Sequence, residues 1–289
     1  TADSLKSLEV VGMGLGDLVW DAMDLLEEAG IKIPGGKRTL LVPARNFPVE
    51  VLFLRDDDIP ESVASGVADV GIVGLNEVME KRCPVGILKK LGFGKCRLSL
   101  AIPQNIDYQD RNWFSGKKIA TSYPGILSDY LHKNGIVSDI HVITGSVEIA
   151  PGIRLADAIF DIVSSGSTLV SNRLKEVETV VESEAVLIGT DSISPEKRGI
   201  LDELLFRFDS VQAADDKKYI LMNVPQKKLN DVLSVLPGIK SPTVMPLADK
   251  EWCSVHTVLD EKCFWEIINR LKTAGAEGIL VLDIEKMIL

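Results

Sequence analysis

Five residues, Ser164-Ser165-Gly166-Ser167-Thr168, follow the apolar run "DAIFDIV" (residues 157–163), and that run carries an acid, Asp161, near its end. Small hydroxyl residues around a glycine let successive backbone N–H groups turn toward one anion, and the hydroxyls add donors of their own. The pattern describes a phosphate nest. Asp161, five residues before the glycine, can reach the hydroxyls of a sugar whose 5′-phosphate sits in that nest. By pattern alone the segment also fits a serine-rich turn, so the elements around it matter.

A second glycine cluster lies near the start. The strand-like "LEVV" is followed by Gly12, Gly14 and Gly16 and then by an apolar helical stripe, Leu18, Ala22, Leu25, Leu26 and Ala29, closed by Gly30. A dinucleotide-binding unit needs G-x-G-x-x-G and an acid about 20 residues on, at the end of the next strand. Here the spacing is G-x-G-x-G, and the next strand, "TLLVPA", ends in Pro43 and Ala44. The sequence predicts a tight strand-to-helix turn there.

The elements alternate. After "TLLVPA" come "VEVLFLR", a helix over "PESVASG" with Asp58 and Glu61 spaced as a capping box, and "DVGIVG". Strands at "KKIATS", "DIHVITG", "DAIFDIV" and "EAVLIG" follow, with a helix over "GILSDYLHKNG" and a long helical connector over 194–215. Strand–helix alternation predicts a mainly parallel sheet wrapped by helices. The last 74 residues instead read β-α-β-β-α-β, the ferredoxin-like plan. The boundaries expected are 1–102 with 188–215 as one domain, 103–187 as a second carrying the phosphate loop, and 216–289 as a third.

The 289 residues are 46% hydrophobic and 26% charged, enough for a large buried core. The net charge of -10 argues against a nucleic-acid surface, which needs clustered Lys and Arg. No apolar run reaches the roughly 18 residues of a membrane span and no secretory segment opens the chain, so no membrane partner and a cytoplasmic location are expected. Cys83, Cys96, Cys253 and Cys263 show no CxxC pairing, and a zinc site is not expected; they are read as reduced thiols. His132, His141 and His256 are isolated and read as structural or surface residues.

The segment "EIAPGIRLADAIFDIVSSGSTL" resembles the signature of the ATP phosphoribosyltransferase family, and "RTLLVPARNFPVEVLFLRDDDIP", "GVADVGIVG", "KCRLSLAIP", "KKIATSYP", "LPGIKSPTVMPLA" and "GAEGILVLDIEKM" extend the likeness over about residues 30–289. The C-terminal module resembles that of the long, self-regulated form. The resemblance implies an α/β body of two lobes like a type II periplasmic binding protein, plus a ferredoxin-like regulatory domain. It also implies transfer of phosphoribosyl from phosphoribosyl pyrophosphate to N1 of ATP, with pyrophosphate leaving and Mg²⁺ assisting. Ser164, Ser165, Gly166, Ser167 and Thr168 would hold the 5′-phosphate, and Asp161 with Glu148 would face the ribose. Arg55 and Arg97 would meet nucleotide or pyrophosphate oxygens, and Thr121, Ser122 and Tyr123 would line the adenine side. Histidine would inhibit from a pocket near Asn223, Ile239, Ser241, Thr243 and Gly278, in a homo-oligomer, a dimer or hexamer. No metal ligands are assigned.

The opening loop departs from the family. Where members usually read Gln-Lys-Ser-Gly-Arg-Leu, this chain has Met13-Gly14-Leu15-Gly16-Asp17-Leu18, and Leu75 replaces a common glutamate. Gly16 and Asp17 would still face the substrates, but without the usual cations. The resemblance therefore leaves two functions open: a histidine-inhibited enzyme, or a catalytically impaired binding or regulatory member that keeps the cleft.

Overall fold

In a computed structural model, residues 8–11, 18–34, 40–237 and 242–289 are described. Two compact units divide within a long helix, one running through Glu203 and the other from Leu204 to Leu289.

The first unit opens with β1 (Leu8–Val11), α1 (Leu18–Glu28), β2 (Leu41–Pro43), β3 (Val49–Leu52), α2 (Ile59–Ala64), β4 (Val70–Gly74), α3 (Leu75–Lys81) and β5 (Gly86–Lys90). It continues with β6 (Cys96–Pro103), β7 (Lys118–Thr121), α4 (Pro124–Lys133), β8 (Asp139–Val142), β9 (Ala158–Val163), α5 (Ser167–Ser171), β10 (Leu174–Ser183), β11 (Ala185–Gly189) and the start of α6 (Pro195–Ala214). These build two sheets, ordered β2-β3-β1-β4-β11-β5 and β10-β6-β9-β7-β8. The chain crosses from one sheet to the other after β5 and returns through β11. Two α/β lobes joined by two crossings make the periplasmic-binding-protein-like body.

The crossings correct the expected domain boundaries. Residues 96–102 lie in β6 of the second sheet, and Ala185–Leu187 lie in β11 of the first. The long strand β10, "LKEVETVVES", has no counterpart among the strands expected from the sequence. Its many charged residues hide a strand that pairs antiparallel with β6 along most of its length, with bulges near Val177 and Val180. The capping box at Asp58 and Glu61 is also absent. A 3₁₀ turn over Asp56–Asp58 runs straight into α2, so Asp58 is already helical (φ −90, ψ −17) and its side chain caps nothing; an N-cap needs an extended backbone to reach the next amides.

Each sheet face has its own core. Leu98, Leu100 and Ile102 of β6 pack with Phe114, Phe160 and the α4 residues Ile126, Leu127 and Leu131. The opposite face gathers Ala101, Ala120, Val147, Ile159, Val163 and Leu169. Between the lobes, the Glu80 carboxylate of α3 accepts from the amides of Gly125 and Ile126 at 2.8 and 2.9 Å, capping α4 from the other sheet's helix. Beside it Arg82 donates to the Gly125 carbonyl and to Asp129.

The second unit takes the rest of α6 and then β12 (Lys217–Pro225), α7 (Leu229–Val235), β13 (Thr243–Pro246), β14 (Trp252–Asp260), α8 (Glu261–Ala274) and β15 (Glu277–Asp283). Its antiparallel sheet is ordered β13-β14-β12-β15, the ferredoxin-like arrangement. Ile220, Met222 and Val224 face a core shared with Phe264, Ile267 and Leu271 of α8. No helix among the described residues is long and apolar enough to cross a membrane.

Helix ends leave amides without intrahelical partners. Glu80→Ala is therefore expected to lower stability by about 1 kcal/mol, read as a shift of the urea midpoint at unchanged slope. An unshifted midpoint would show that Glu80 contributes nothing to the end of α4.

Candidate active site

Strand β9 delivers Asp161 to the face that holds Ile159 and Val163, and the chain then turns through Ser164–Gly166 into α5. Gly166 takes φ +80, a left-handed conformation that costs a residue with a Cβ about 1–2 kcal/mol. The Ser165 and Ser167 hydroxyls are 3.0 Å apart, and Ser165 Oγ also accepts from the Ser167 amide at 3.4 Å. Among the described residues nothing pairs with the amides of Ser165 and Gly166. The side chains of Ser164, Ser165, Ser167 and Thr168 are exposed around these amides.

Asp161 is half-buried, and its Oδ1 accepts from the next amide, Ile162, at 2.8 Å. Burial, joined by the neighbouring Glu148 and opposed by the Ile162 bond, pushes its pKa up to about 6. Glu148 sits on a short turn over Val147–Ile149. The structure thus brings Asp161, Glu148 and the loop together.

Arg97 reaches the same place from β6. Its Nη1 donates to the Ser164 carbonyl at 3.1 Å, while Nε and Nη2 grip both oxygens of Glu176 at 2.6 Å each. It touches the loop through backbone, already paired. Thr121, Ser122 and Tyr123 are also engaged internally. Thr121 Oγ1 accepts from the Tyr123 amide, Ser122 donates to the Ile143 carbonyl, and the Tyr123 hydroxyl donates to Glu77 at 2.8 Å. Burial, then Glu77, push the Tyr123 hydroxyl well above its ordinary pKa. Burial likewise raises Glu77. Arg55 is 73% exposed and pairs with Asp57 at 3.2 Å. Where the chain crosses between sheets, a cavity of about 360 Å³ is lined by Leu75, Lys90, Lys95, Arg97, Glu182 and Glu184. It holds both Leu75 and Arg97 and adds Lys95, a cation the sequence did not single out, beside the two acids. Gly16 and Asp17 lie outside the described residues.

The family model described as ATP phosphoribosyltransferase matches residues 55–210, and the one described as HisG, C-terminal domain, matches 214–286. ATP phosphoribosyltransferase of Bacteroides fragilis is 67% identical over 282 residues, 98% of this chain and 100% of its own. That of Phocaeicola vulgatus is also 67% identical over 98% of this chain. The chain belongs to the ATP phosphoribosyltransferase family. Its C-terminal match makes it a long-form member. The solved ATP phosphoribosyl transferase (HisG:HisZ) complex of Thermotoga maritima covers 70% of this chain and 98% of its own, at 24% identity and a TM-score of 0.60, and shares the fold.

Of the effector residues expected in a long-form member, Asn223 and Gly278 are neighbours on β12 and β15. A Cβ built on Gly278 would stand 3.3 Å from Asn223 Nδ2. Thr243 lies on β13, paired with His256 of β14 and so two strands away from Asn223. Ile239 and Ser241 lie outside the described residues. His256 has a structural place: one ring nitrogen bonds the Tyr219 hydroxyl at 2.7 Å and the other the Ser254 hydroxyl at 2.8 Å. All four cysteines are free thiols.

A carboxyl whose folded pKa is raised costs the fold stability once it must ionise. For Asp161 that cost is absent below about pH 4, grows toward pH 6, and is full above it, reaching up to about 3 kcal/mol for a shift of some two units. Asp161→Asn is therefore expected to raise the melting temperature at pH 8 and to lose that advantage as pH falls toward 4. An advantage equal at both pH values would contradict a carboxylate that its surroundings make hard to ionise.

Proposed function

We propose that the chain transfers phosphoribosyl from phosphoribosyl pyrophosphate to N1 of ATP, the opening step of histidine biosynthesis, in the cytoplasm. The observation that carries it is the placing of Asp161 and Glu148 beside a hydroxyl-rich turn in which the Ser165 and Gly166 amides pair with nothing among the described residues. The 5′-phosphate sits in the nest, and the ribose lies against the two carboxylates. As the C–O bond to pyrophosphate breaks, positive charge gathers at the anomeric carbon, where a fixed carboxylate stabilises it, while N1 forms the new bond. Most of the work is holding two anionic partners in line. The Thr121–Tyr123 turn forms the wall beside adenine, Arg55 and Lys95 supply positive charge toward polyphosphate, and Arg97, paired with Glu176, holds the loop. Among the described residues no group of three or more His, Cys, Asp or Glu side chains gathers as a metal cage. Mg²⁺ carried in on the pyrophosphate would neutralise charge on the leaving group.

In this proposal the second unit is the histidine sensor of a homo-oligomer. Tyr219, Met245, Leu280 and Leu282 are exposed on its sheet and offer apolar surface to another subunit. Asn223, beside Gly278, is the polar group available to the effector. Histidine bound at such an interface can bias the whole assembly.

Three outcomes are expected. Pyrophosphate release should require both substrates and Mg²⁺ and be inhibited by histidine; ligand binding without turnover would leave only the impaired member. The value of kcat/KM should fall as pH drops below about 6, because a protonated Asp161 loses the charge that the site uses. Asn223→Ala should weaken histidine inhibition about three- to tenfold, the worth of one hydrogen bond, with uninhibited turnover unchanged; an unshifted inhibition curve would remove Asn223 from the sensor.

A further inference from the structure

Glu176 lies outside the signature segment, on strand β10, and no role is yet assigned to it. The register sets it opposite Ala101, on the face that carries Ser99 and Arg97. Its Oε1 accepts from Arg97 Nε at 2.6 Å, Ser99 Oγ at 2.7 Å and Thr179 Oγ1 at 3.1 Å, and its Oε2 from Arg97 Nη2 at 2.6 Å. Ser99 is 1% exposed, so the carboxylate rests on a buried hydroxyl. Two of the guanidinium's three nitrogens are thereby fixed, and the planar fork leaves the third with one direction. That third nitrogen holds the Ser164 carbonyl at 3.1 Å.

Carbonyl and following amide share one rigid plane and point opposite ways in a trans peptide. Pulling the Ser164 carbonyl toward Arg97 therefore turns the Ser165 N–H away from Arg97, and that amide has no partner among the described residues. We propose that Glu176 is a positioning residue for phosphoribosyl pyrophosphate: through Arg97 it fixes the Ser164–Ser165 peptide plane and with it the first amide donor of the phosphate loop. The inference rests on the loop's being the phosphate site. The bond from Arg97, with those from Ser99 and Thr179, holds the Glu176 pKa down at about 2, so the clamp stays charged across the working pH range.

Charge makes the test diagnostic. Glu176→Gln removes a negative charge near a polyanion, so electrostatics alone would strengthen substrate binding. The proposal expects the reverse. Calorimetry on the full chain with Mg²⁺ should show phosphoribosyl pyrophosphate binding at least tenfold weaker in Glu176→Gln, with ATP within twofold and the melting temperature near that of the parent. Glu176→Asp, which keeps the charge but shortens the reach, should weaken it too. Affinity unchanged or improved in Glu176→Gln overturns the proposal, as does equal weakening of ATP with a lowered melting temperature. Gly166→Val separates the two levels. If it loses phosphoribosyl pyrophosphate while Glu176→Gln does not, Glu176 alone is discharged; if it too binds normally, the phosphate site lies elsewhere and the inference falls with it.

Discussion

Period-two alternation along β6 is the constraint on which the rest depends. Successive side chains of a strand point to opposite faces. Leu98, Leu100 and Ile102 therefore enter one core, and Arg97, Ser99 and Ala101 take the other face. Because β6 lies between β9 and β10, the same alternation aligns Ser99 with Asp161 on one side and Ala101 with Glu176 on the other. A slip of one residue would put Arg97 into the core and the leucines into the site. Burial of the apolar set fixes the register, and the register places the chemistry.

Two carboxylates on that face meet opposite fates. Asp161 is half-buried with one amide for a partner and a second acid nearby, so it is hard to ionise. Glu176 is gripped by a guanidinium and two hydroxyls, so it is hard to protonate. The first condition destabilises the empty protein and suits a group that a sugar with developing positive charge will complete. The second suits a strut. The separation of the two pKa values follows from burial at Asp161 and from the Arg97 hydrogen bonds at Glu176.

The parts of this arrangement legible in the sequence were those carried by local pattern. The hydroxyl-glycine loop after Asp161, the strands "DAIFDIV" and "EAVLIG", and the βαββαβ order of the last unit all appear where expected. What was hidden depends on partners distant in the chain. β10 is too charged to read as a strand until β6 is set beside it, and Glu176 is 79 residues from the arginine it holds. The lobe boundaries were misplaced because a strand carries no mark of which sheet it joins. The bond from the Tyr123 hydroxyl to Glu77 on the other lobe has no local mark in the sequence either. Asp58 fails as a cap because the preceding residues had already begun to coil.

The most direct measurement of the central claim is a crystal structure of the chain soaked with phosphoribosyl pyrophosphate and Mg²⁺. The account predicts the 5′-phosphate within hydrogen-bond distance of the Ser165 and Gly166 amides, with the ribose hydroxyls facing Asp161 and Glu148. A 5′-phosphate seated instead against Arg55, with the Ser164–Thr168 loop bare, would contradict it.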